Sequence, residues 1–284
     1  MKTFAGIEEQ YAGFEDAAVL LQPVPYDGTS TWGKGADLGL EAFLEAAENM
    51  EVYDIETDSE VFRKGIHLLP PIREFGSPES MFTAVYKKTN ELLETGKFLT
   101  FFGGEHSISI GVIKAFYEKY PGISILQLDA HTDLRPTYLG TPYNHACALH
   151  DASLHTNLVQ VGIRSMDVSE KPFLNPDKCF LAEDIHNTQS WMYRAIDQLG
   201  EDVYITLDLD VFDPSVLPAT GTPEPGGLDW YTMLKFLKFV FSNRRVLGFD
   251  IVELAPIEGY RASEFMVAKL YYKMLSYKFM ADGK

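Results

Sequence analysis

Cysteine is almost absent from this 284-residue chain: Cys147 and Cys179 are the two it has, too few for a disulfide framework. Cationic residues are scarce as well. Twenty-four lysines and arginines stand against 41 aspartates and glutamates, a formal net charge of −17 at pH 7. That balance argues against nucleic acid and anionic membrane as partners, because both demand basic surface. It suits attraction of a small cationic molecule. No uncharged apolar run approaches the length of a membrane span, and Met1-Lys2-Thr3-Phe4-Ala5-Gly6 lacks the charged-then-apolar order of a leader. A cytoplasmic protein is therefore expected. No Gly/Ser/Pro-rich linker, internal repeat or low-complexity tract divides the sequence, so one domain over 1–284 is expected. No two histidines are adjacent.

What remains is an alternation of short apolar runs and longer amphipathic ones, with 46% hydrophobic residues to build a core. Strands are predicted at Ala18–Leu21, Phe98–Phe102, Ile123–Leu128, Leu158–Val161, Lys178–Leu181, Val203–Leu207 and Arg245–Phe249. Helices are predicted at Glu79–Glu94, Ile108–Tyr120, Ser190–Leu199, Trp230–Phe241 and Ser263–Met280. The pattern of Trp230–Phe241 sets Tyr231, Leu234, Leu237 and Val240 on one apolar face. Alternating elements of this kind give an α/β fold, a three-layer α/β/α sandwich around a mainly parallel central sheet. Its strands read as continuously apolar because both faces are covered.

Two of those strands end in acid. Ile123-Ser124-Ile125-Leu126-Gln127-Leu128 runs into Asp129-Ala130-His131-Thr132-Asp133, and Val203-Tyr204-Ile205-Thr206-Leu207 into Asp208-Leu209-Asp210. Alternate residues of extended chain point the same way, so Asp129, His131 and Asp133 are expected to project together, as are Asp208 and Asp210. Gathered carboxylates repel unless a cation lies between them, and a divalent metal is the economical answer. A third segment, Phe101-Phe102-Gly103-Gly104-Glu105-His106-Ser107, brings His106 to the same sheet edge. Its glycines permit a tight turn, and Ser107 is placed to cap the next helix. Ligands of open α/β sheets collect at that edge. Pro214 to Gly227, rich in proline and glycine, reads as a shaped loop beside the site, with Asp213 a turn residue.

These segments, with Pro218-Ala219-Thr220-Gly221-Thr222-Pro223 and Gly248-Phe249-Asp250-Ile251-Val252-Glu253-Leu254-Ala255-Pro256, resemble the motifs of the ureohydrolases, the arginase/agmatinase family. The resemblance runs from about Pro23 to the C-terminus. It implies two Mn²⁺ ions, one on His106, Asp129, Asp133 and Asp208, the other on His131, Asp129, Asp208 and Asp210. Oxygen-rich donors with two imidazoles suit that metal, although the ligand types also admit other divalent ions. The ions would ready a bridging hydroxide to attack a guanidinium carbon, releasing urea and an amine. By the same resemblance His145 would shuttle a proton, as an imidazole near its ordinary pKa, and Glu253 would accept hydrogen bonds from the guanidinium. The resemblance also implies a trimer or hexamer.

Asp133-Leu134-Arg135, Tyr138-Leu139-Gly140, Asn144-His145-Ala146 and Gly162-Ile163-Arg164-Ser165 are more similar to agmatinases than to arginases, implying agmatine as substrate and a polyamine-forming reaction to putrescine. Arginase, guanidinobutyrase, guanidine hydrolase and formimidoylglutamate hydrolase are the neighbouring activities, and a zinc deacetylase would need the paired histidines that are missing. A non-catalytic homologue would show a broken ligand set, and this set is whole. The chain departs from the family at Gly39-Leu40-Glu41-Ala42-Phe43-Leu44, Ala148-Leu149-His150-Asp151 and Ile257-Glu258-Gly259-Tyr260-Arg261, places where the substrate pocket could be reshaped. His67, His150, His155 and His186 read as surface or packing residues, Glu253 has Arg164 as an alternative ion-pair partner, and Cys147 reads as a packed apolar side chain.

Overall fold

The computed structural model describes residues 3–282; Met1, Lys2, Gly283 and Lys284 lie outside the described residues. Strands β1 (Val19–Val24), β2 (Ile66–Leu68), β3 (Phe98–Gly103), β4 (Ser124–Leu128), β5 (Asn157–Ile163), β6 (Cys179–Leu181), β7 (Asp202–Asp208) and β8 (Arg245–Val252) form one sheet. Its order is β2-β1-β3-β8-β7-β4-β5-β6, and every pairing among the described residues is parallel. The helices are α1 (Gly39–Ala47), α2 (Pro78–Leu93), α3 (Ile108–Lys119), α4 (His150–His155), α5 (Ala182–Asn187), α6 (Ser190–Gln198), α7 (Trp230–Asn243) and α8 (Ala262–Asp282). None of them is long and apolar enough to cross a membrane.

Alternation along the strands feeds two cores. Phe98, Phe102, Val203, Ile205 and Leu207 point to the layer of α1, α6, α7 and α8, where Phe43, Trp191, Phe236 and Met274 pack. Leu99, Phe101, Ile125 and Tyr204 point to α2, α3 and α4, meeting Met81, Val85, Phe116 and Ala152. The result is the α/β/α sandwich of the sequence reading, and it explains the unbroken burial of β1, β3 and β4. The four central strands β3, β8, β7 and β4 are neighbours, so their C-terminal ends open side by side at one sheet edge.

Some local readings differ from the structure. The edge strand β2 and helices α1, α4 and α5 are unpredicted. Helix α1 is the surprise, because Leu40, Phe43, Leu44 and Ala47 carry a clear helical stripe. Its first residue, Gly39, crosses close to β8's continuation: a Cβ there would lie 2.4 Å from the Leu254 carbonyl oxygen. Tyr231, expected in the apolar stripe of α7, is 79% exposed, and Met233 and Phe236 take the core instead. Ser107 does not cap α3 through its side chain; its amide and hydroxyl are both spent on the Glu105 carboxylate, at 2.8 Å each.

The turn after β3 depends on Gly104, whose amide bonds to the Val24 carbonyl (2.8 Å) while the next amide, of Glu105, bonds to that of Tyr26 (2.8 Å). A Cβ on Gly104 would stand 1.8 Å from the Tyr26 carbonyl oxygen and 2.5 Å from its nitrogen. Because both neighbours are backbone, Gly104→Ala is expected to destabilise the fold by roughly 3 kcal/mol, read by denaturant unfolding. A loss below about 0.5 kcal/mol would show that the two loops part easily.

Candidate metal centre

Leaving β3, the chain turns through Gly104 and sets His106 over the ends of β7 and β8. The imidazole is 1% exposed. Its Nε2 lies 2.9 Å from Thr206 Oγ1, the Thr206 hydroxyl donates to Asp250 Oδ1 (2.7 Å), and the Tyr204 hydroxyl donates to Asp250 Oδ2 (2.8 Å). Register accounts for the chain: Thr206 and Asp250 are partners across β7 and β8, and Tyr204 shares a face with Thr206. Since the single hydroxyl hydrogen of Thr206 goes to Asp250, its oxygen must accept from His106, which puts the imidazole proton on Nε2. With Nε2–H so committed, His106 Nδ1 is the nitrogen left to carry a second proton or to bind a metal ion. It is buried without a hydrogen bond, yet it lies 3.1 Å from Asp129 Oδ2, 3.0 Å from Asp133 Oδ2 and 3.3 Å from Asp208 Oδ2. Donors on adjacent corners of a six-coordinate ion, with bonds of about 2.2 Å, stand about 3 Å apart. The spacing therefore suits a divalent cation, which would take the place of the proton on Nδ1.

A second group adjoins the first. His131 Nδ1 is 2.9 Å from Asp210 Oδ2 and 3.7 Å from Asp129 Oδ1. Histidine 106 with Asp129 and Asp208, and His131 with Asp129 and Asp210, each bring their donor atoms within 4.8 Å of one another. Asp129 belongs to both groups. Asp208, expected to bridge as well, belongs to the first, and its Oδ1 accepts the Asp210 amide at 2.9 Å.

The convergence is not the extended-chain alternation expected from the sequence. Strand β4 stops at Leu128, and Asp129 turns back to accept the His131 amide at 2.6 Å. Asp133 sits at φ 51°, in the left-handed region. After Asp208 the chain enters a short 3₁₀ turn, Leu209–Val211, rather than continuing as strand. Turns bring the carboxylates closer than a pleat with side chains two residues apart allows. Glu253 also adopts a left-handed φ of 69°, with Oε1 accepting the His106 amide at 2.9 Å. Strained backbone at these two positions is stored where function concentrates.

Taken as protein groups alone, the cluster balances its charge with protons. Burial, followed by the nearby Asp129, pushes Asp133 up to about 7. Burial with Asp210 and Asp129 raises Asp208, and burial with Glu105 raises Glu253. Burial opposes charge on His106 and His131, but the surrounding carboxylates outweigh it and hold both well above the ordinary histidine value.

His106, His131, Asp133, Asp208, Asp210, His145 and Glu253 all line one cleft of about 300 Å³. His145 Nδ1 is 3.2 Å from Thr29 Oγ1, whose hydroxyl donates to Glu105 Oε1 at 2.9 Å. The Thr29 oxygen consequently accepts from Nδ1–H and leaves Nε2 as the basic nitrogen. Contrary to the sequence reading, His145 is not near its ordinary pKa: burial first, then neighbouring positive charge, pushes it down to about 4. Arg164 does not pair with Glu253. It donates instead to the carbonyls of Asp210 (2.6 Å) and Glu224 (2.9 Å). Asp213 is the turn residue expected, binding the amides of Ser215 (2.9 Å) and Gly226 (2.7 Å).

His150 bonds through Nδ1 to the Leu134 carbonyl (3.0 Å), and none of His67, His150, His155 and His186 lines the cleft. Nor do the three departures from the family pattern. Gly39 to Leu44 lies in α1, Ile257 pairs with Tyr260 in an exposed turn, and Leu149 supports the site with its amide on the Asp133 carbonyl at 3.0 Å.

Several residues of the site escaped the sequence reading. Gln127 Nε2 donates to Asp129 Oδ2 (2.7 Å) and is itself held by Gln160 (2.6 Å), its partner in register on β5. Glutamine interrupting Ile-Leu-Gln-Leu and Leu-Val-Gln-Val was the available signal, as were Thr206 and Asp250 in their strands. Glu105 lay inside the Gly103–Ser107 segment without a role assigned to it, and Thr29, a loop threonine, carried no signal.

A family profile described as the Arginase family matches residues 17–276. An N(1)-aminopropylagmatine ureohydrolase from Synechocystis sp. is 35% identical over 280 residues, covering 95% of this chain and 92% of its own. The agmatinase of Bacillus subtilis is 32% identical over 254 residues, 86% of each. Among solved structures, the agmatine ureohydrolase of Thermoplasma volcanium matches with a TM-score of 0.88 at 26% identity, covering 100% of this chain and 96% of that one. A putative agmatinase from Clostridium difficile gives 0.86 at 27%, covering 95% and 99%. Fold, ordered motifs and matched length agree, and the chain belongs to the arginase family.

Proposed function

We propose that this protein hydrolyses a guanidino compound to urea and an amine at a pair of Mn²⁺ ions, with agmatine, yielding putrescine, as the first substrate to test. The observation that carries the reading is His106 Nδ1, buried and turned to three aspartates at 3.0–3.3 Å while Nε2 is held by Thr206. A second substrate, N(1)-aminopropylagmatine, is favoured by the name of the Synechocystis relative and its 35% identity. The reading includes a cytoplasmic setting and a homo-oligomer.

His106, Asp129, Asp133 and Asp208 would hold one ion, and His131, Asp129, Asp208 and Asp210 the other. Divalent cations held there would supply Lewis acidity and make water a nucleophile near neutral pH. Glu253, steadied by the His106 amide, accepts from the planar guanidinium in a charge-assisted pair. His145 is neutral at pH 7, holds its proton on Nδ1 and accepts another at Nε2 for delivery to the departing amine nitrogen. Arg135, the cation lining the cleft, already faces Glu170 (3.4 Å) and Asp167 (3.8 Å) and lies over Tyr138. A substrate carboxylate would have to compete with those two acids for it, so an amine-tailed guanidine fits better than arginine.

Chelator-treated protein resupplied with Mn²⁺ is expected to release urea from agmatine or N(1)-aminopropylagmatine with kcat/KM at least about 10-fold above arginine and guanidinobutyrate. Urea from none of the four would overturn the hydrolase reading, and a preference for the acids would overturn the amine-tailed substrate. Thr206→Val, which removes the acceptor for His106 Nε2, should weaken Mn²⁺ binding roughly 10–100-fold by calorimetry; wild-type affinity would show that the Tyr204–Asp250–Thr206 chain does not orient the imidazole.

Stability should also respond to pH. Asp133, raised from 3.8 to about 7, favours the fold when protonated, a contribution present below pH 4 and lost as pH rises through 7. The upward shifts of His106 and His131 act in the same direction above 6.5, while His145, shifted down, opposes only below 6.5. Metal-stripped protein should therefore lose Tm between about pH 6.5 and 8, and Mn²⁺ should stabilise it most at the upper end, where the ligands are deprotonated. A Tm of stripped protein that climbs over this interval would contradict the assignment.

A further inference from the structure

The two imidazoles of the cluster are built alike in one respect and differently in another. Each turns Nδ1 to the aspartates. The far nitrogen of His106 is held by Thr206 within the core, whereas that of His131 faces Glu224, whose Oε1 lies 3.8 Å from His131 Nε2. The His131 side chain is 24% exposed and that of Glu224 36%, so nothing in the packed interior fixes this second ring.

The backbone beneath Glu224 is unusually constrained for a loop. It sits between Pro223 and Pro225, which fix their own φ and restrict the residue before each. Its carbonyl accepts from Arg164 Nε (3.3 Å) and Nη2 (2.9 Å), and the same Nη2 donates to the Asp210 carbonyl at 2.6 Å. One guanidinium thus ties the Glu224 backbone to that of a cluster aspartate. Asp213 closes the loop from the other side through Gly226 and Gly227, and the Thr222 hydroxyl lies 3.4 Å from Asp210 Oδ2.

Resting on the binuclear reading above, we infer that Glu224 is the positioning carboxylate of the outer ion: it accepts from His131 Nε2–H, fixes the proton on that nitrogen and frees Nδ1 to face the metal. A separation of 3.8 Å is ion-pair distance rather than a hydrogen bond, and a shift of about 1 Å in a half-exposed side chain closes it. Carboxylate behind imidazole behind metal is an arrangement that raises ligand basicity and sets ring orientation. Glu224 acts through His131 and touches neither substrate nor ion in this role.

The test uses the full chain, stripped with chelator and titrated with Mn²⁺ by calorimetry, alongside urea release from agmatine. Glu224→Ala should weaken one of the two binding events roughly 10–100-fold and leave the other unchanged. Glu224→Gln, which keeps an acceptor oxygen, should recover most of that loss, a rescue that a mere packing role does not predict. Unchanged affinity for both ions in Glu224→Ala overturns the inference, as does a raised KM with intact ion binding, which would place Glu224 on the substrate instead. Because ion binding is read separately from urea, wild-type protein that takes two ions but makes no urea would refute the proposed hydrolysis while leaving the Glu224 assignment testable.

Discussion

Three carboxylates gathered on one buried imidazole nitrogen repel one another unless a proton or a metal ion lies among them, and much of this protein is organised to maintain that gathering. Unpaired charges buried in low-dielectric surroundings cost several kcal/mol each, and a loose chain would relieve that by moving them apart or exposing them. Relaxation is blocked here because the donors hang from the ends of β3, β7 and β4, middle strands of a sheet packed on both faces. Close-packed interiors do not deform continuously. The polar groups under the site add to this: Tyr204, Asp250 and Thr206 fix the tautomer of His106, and Gln160 and Gln127 hold Asp129. Rigidity, more than proximity, is what would suit the cluster to a cation.

The fold and the donor set were largely legible in the sequence, for a common reason. Strands covered on both faces must be apolar, so an acid or imidazole just past their ends stands out against the background. The positions of Asp129, Asp208 and His106 were readable on that ground, and the order of the layers followed from alternating elements. How the donors converge was not readable. Extended-chain geometry placed Asp129, His131 and Asp133 on one side by periodicity, whereas the structure gathers them through a reversal at Asp129 and a left-handed residue at Asp133. Backbone excursions of that kind are imposed by tertiary contacts, here including the Leu149 amide on the Asp133 carbonyl, and a non-glycine residue at positive φ leaves no mark in composition.

The pKa of His145 failed to transpire from sequence for a related reason. A histidine in a loop reads as solvated, but this one is enclosed by Thr29 and the cleft wall, and desolvation of an imidazolium depends on three-dimensional enclosure alone. Helix α1 is a different case. Its stripe of Leu40, Phe43, Leu44 and Ala47 stands in the sequence behind an opening glycine, a residue that weakens a helical pattern. In the structure Gly39 is needed for close passage beside Leu254, the residue after Glu253. A feature that looks like a departure in the pocket is a packing contact behind it.

The site divides into an inner half made by strands and an outer half made by loops, and the division has a chemical consequence. His106, 1% exposed, takes its orientation from strand register, which cannot slip by one residue without reversing every neighbouring side chain. His131 lies past the end of β4 and faces a loop in which Glu224, Arg164 and Asp213 carry the ordering. Loops accept substitution far more readily than central strands. Changes in substrate preference can therefore accumulate among Arg135, Tyr138, Met166 and Asp167 along the outer wall without disturbing the inner donors. On the proposed reading, a rigid inner anchor and a separately fastened outer one would let one donor arrangement serve guanidines with different tails, because the inner donors rest on strand register and the outer wall on loops.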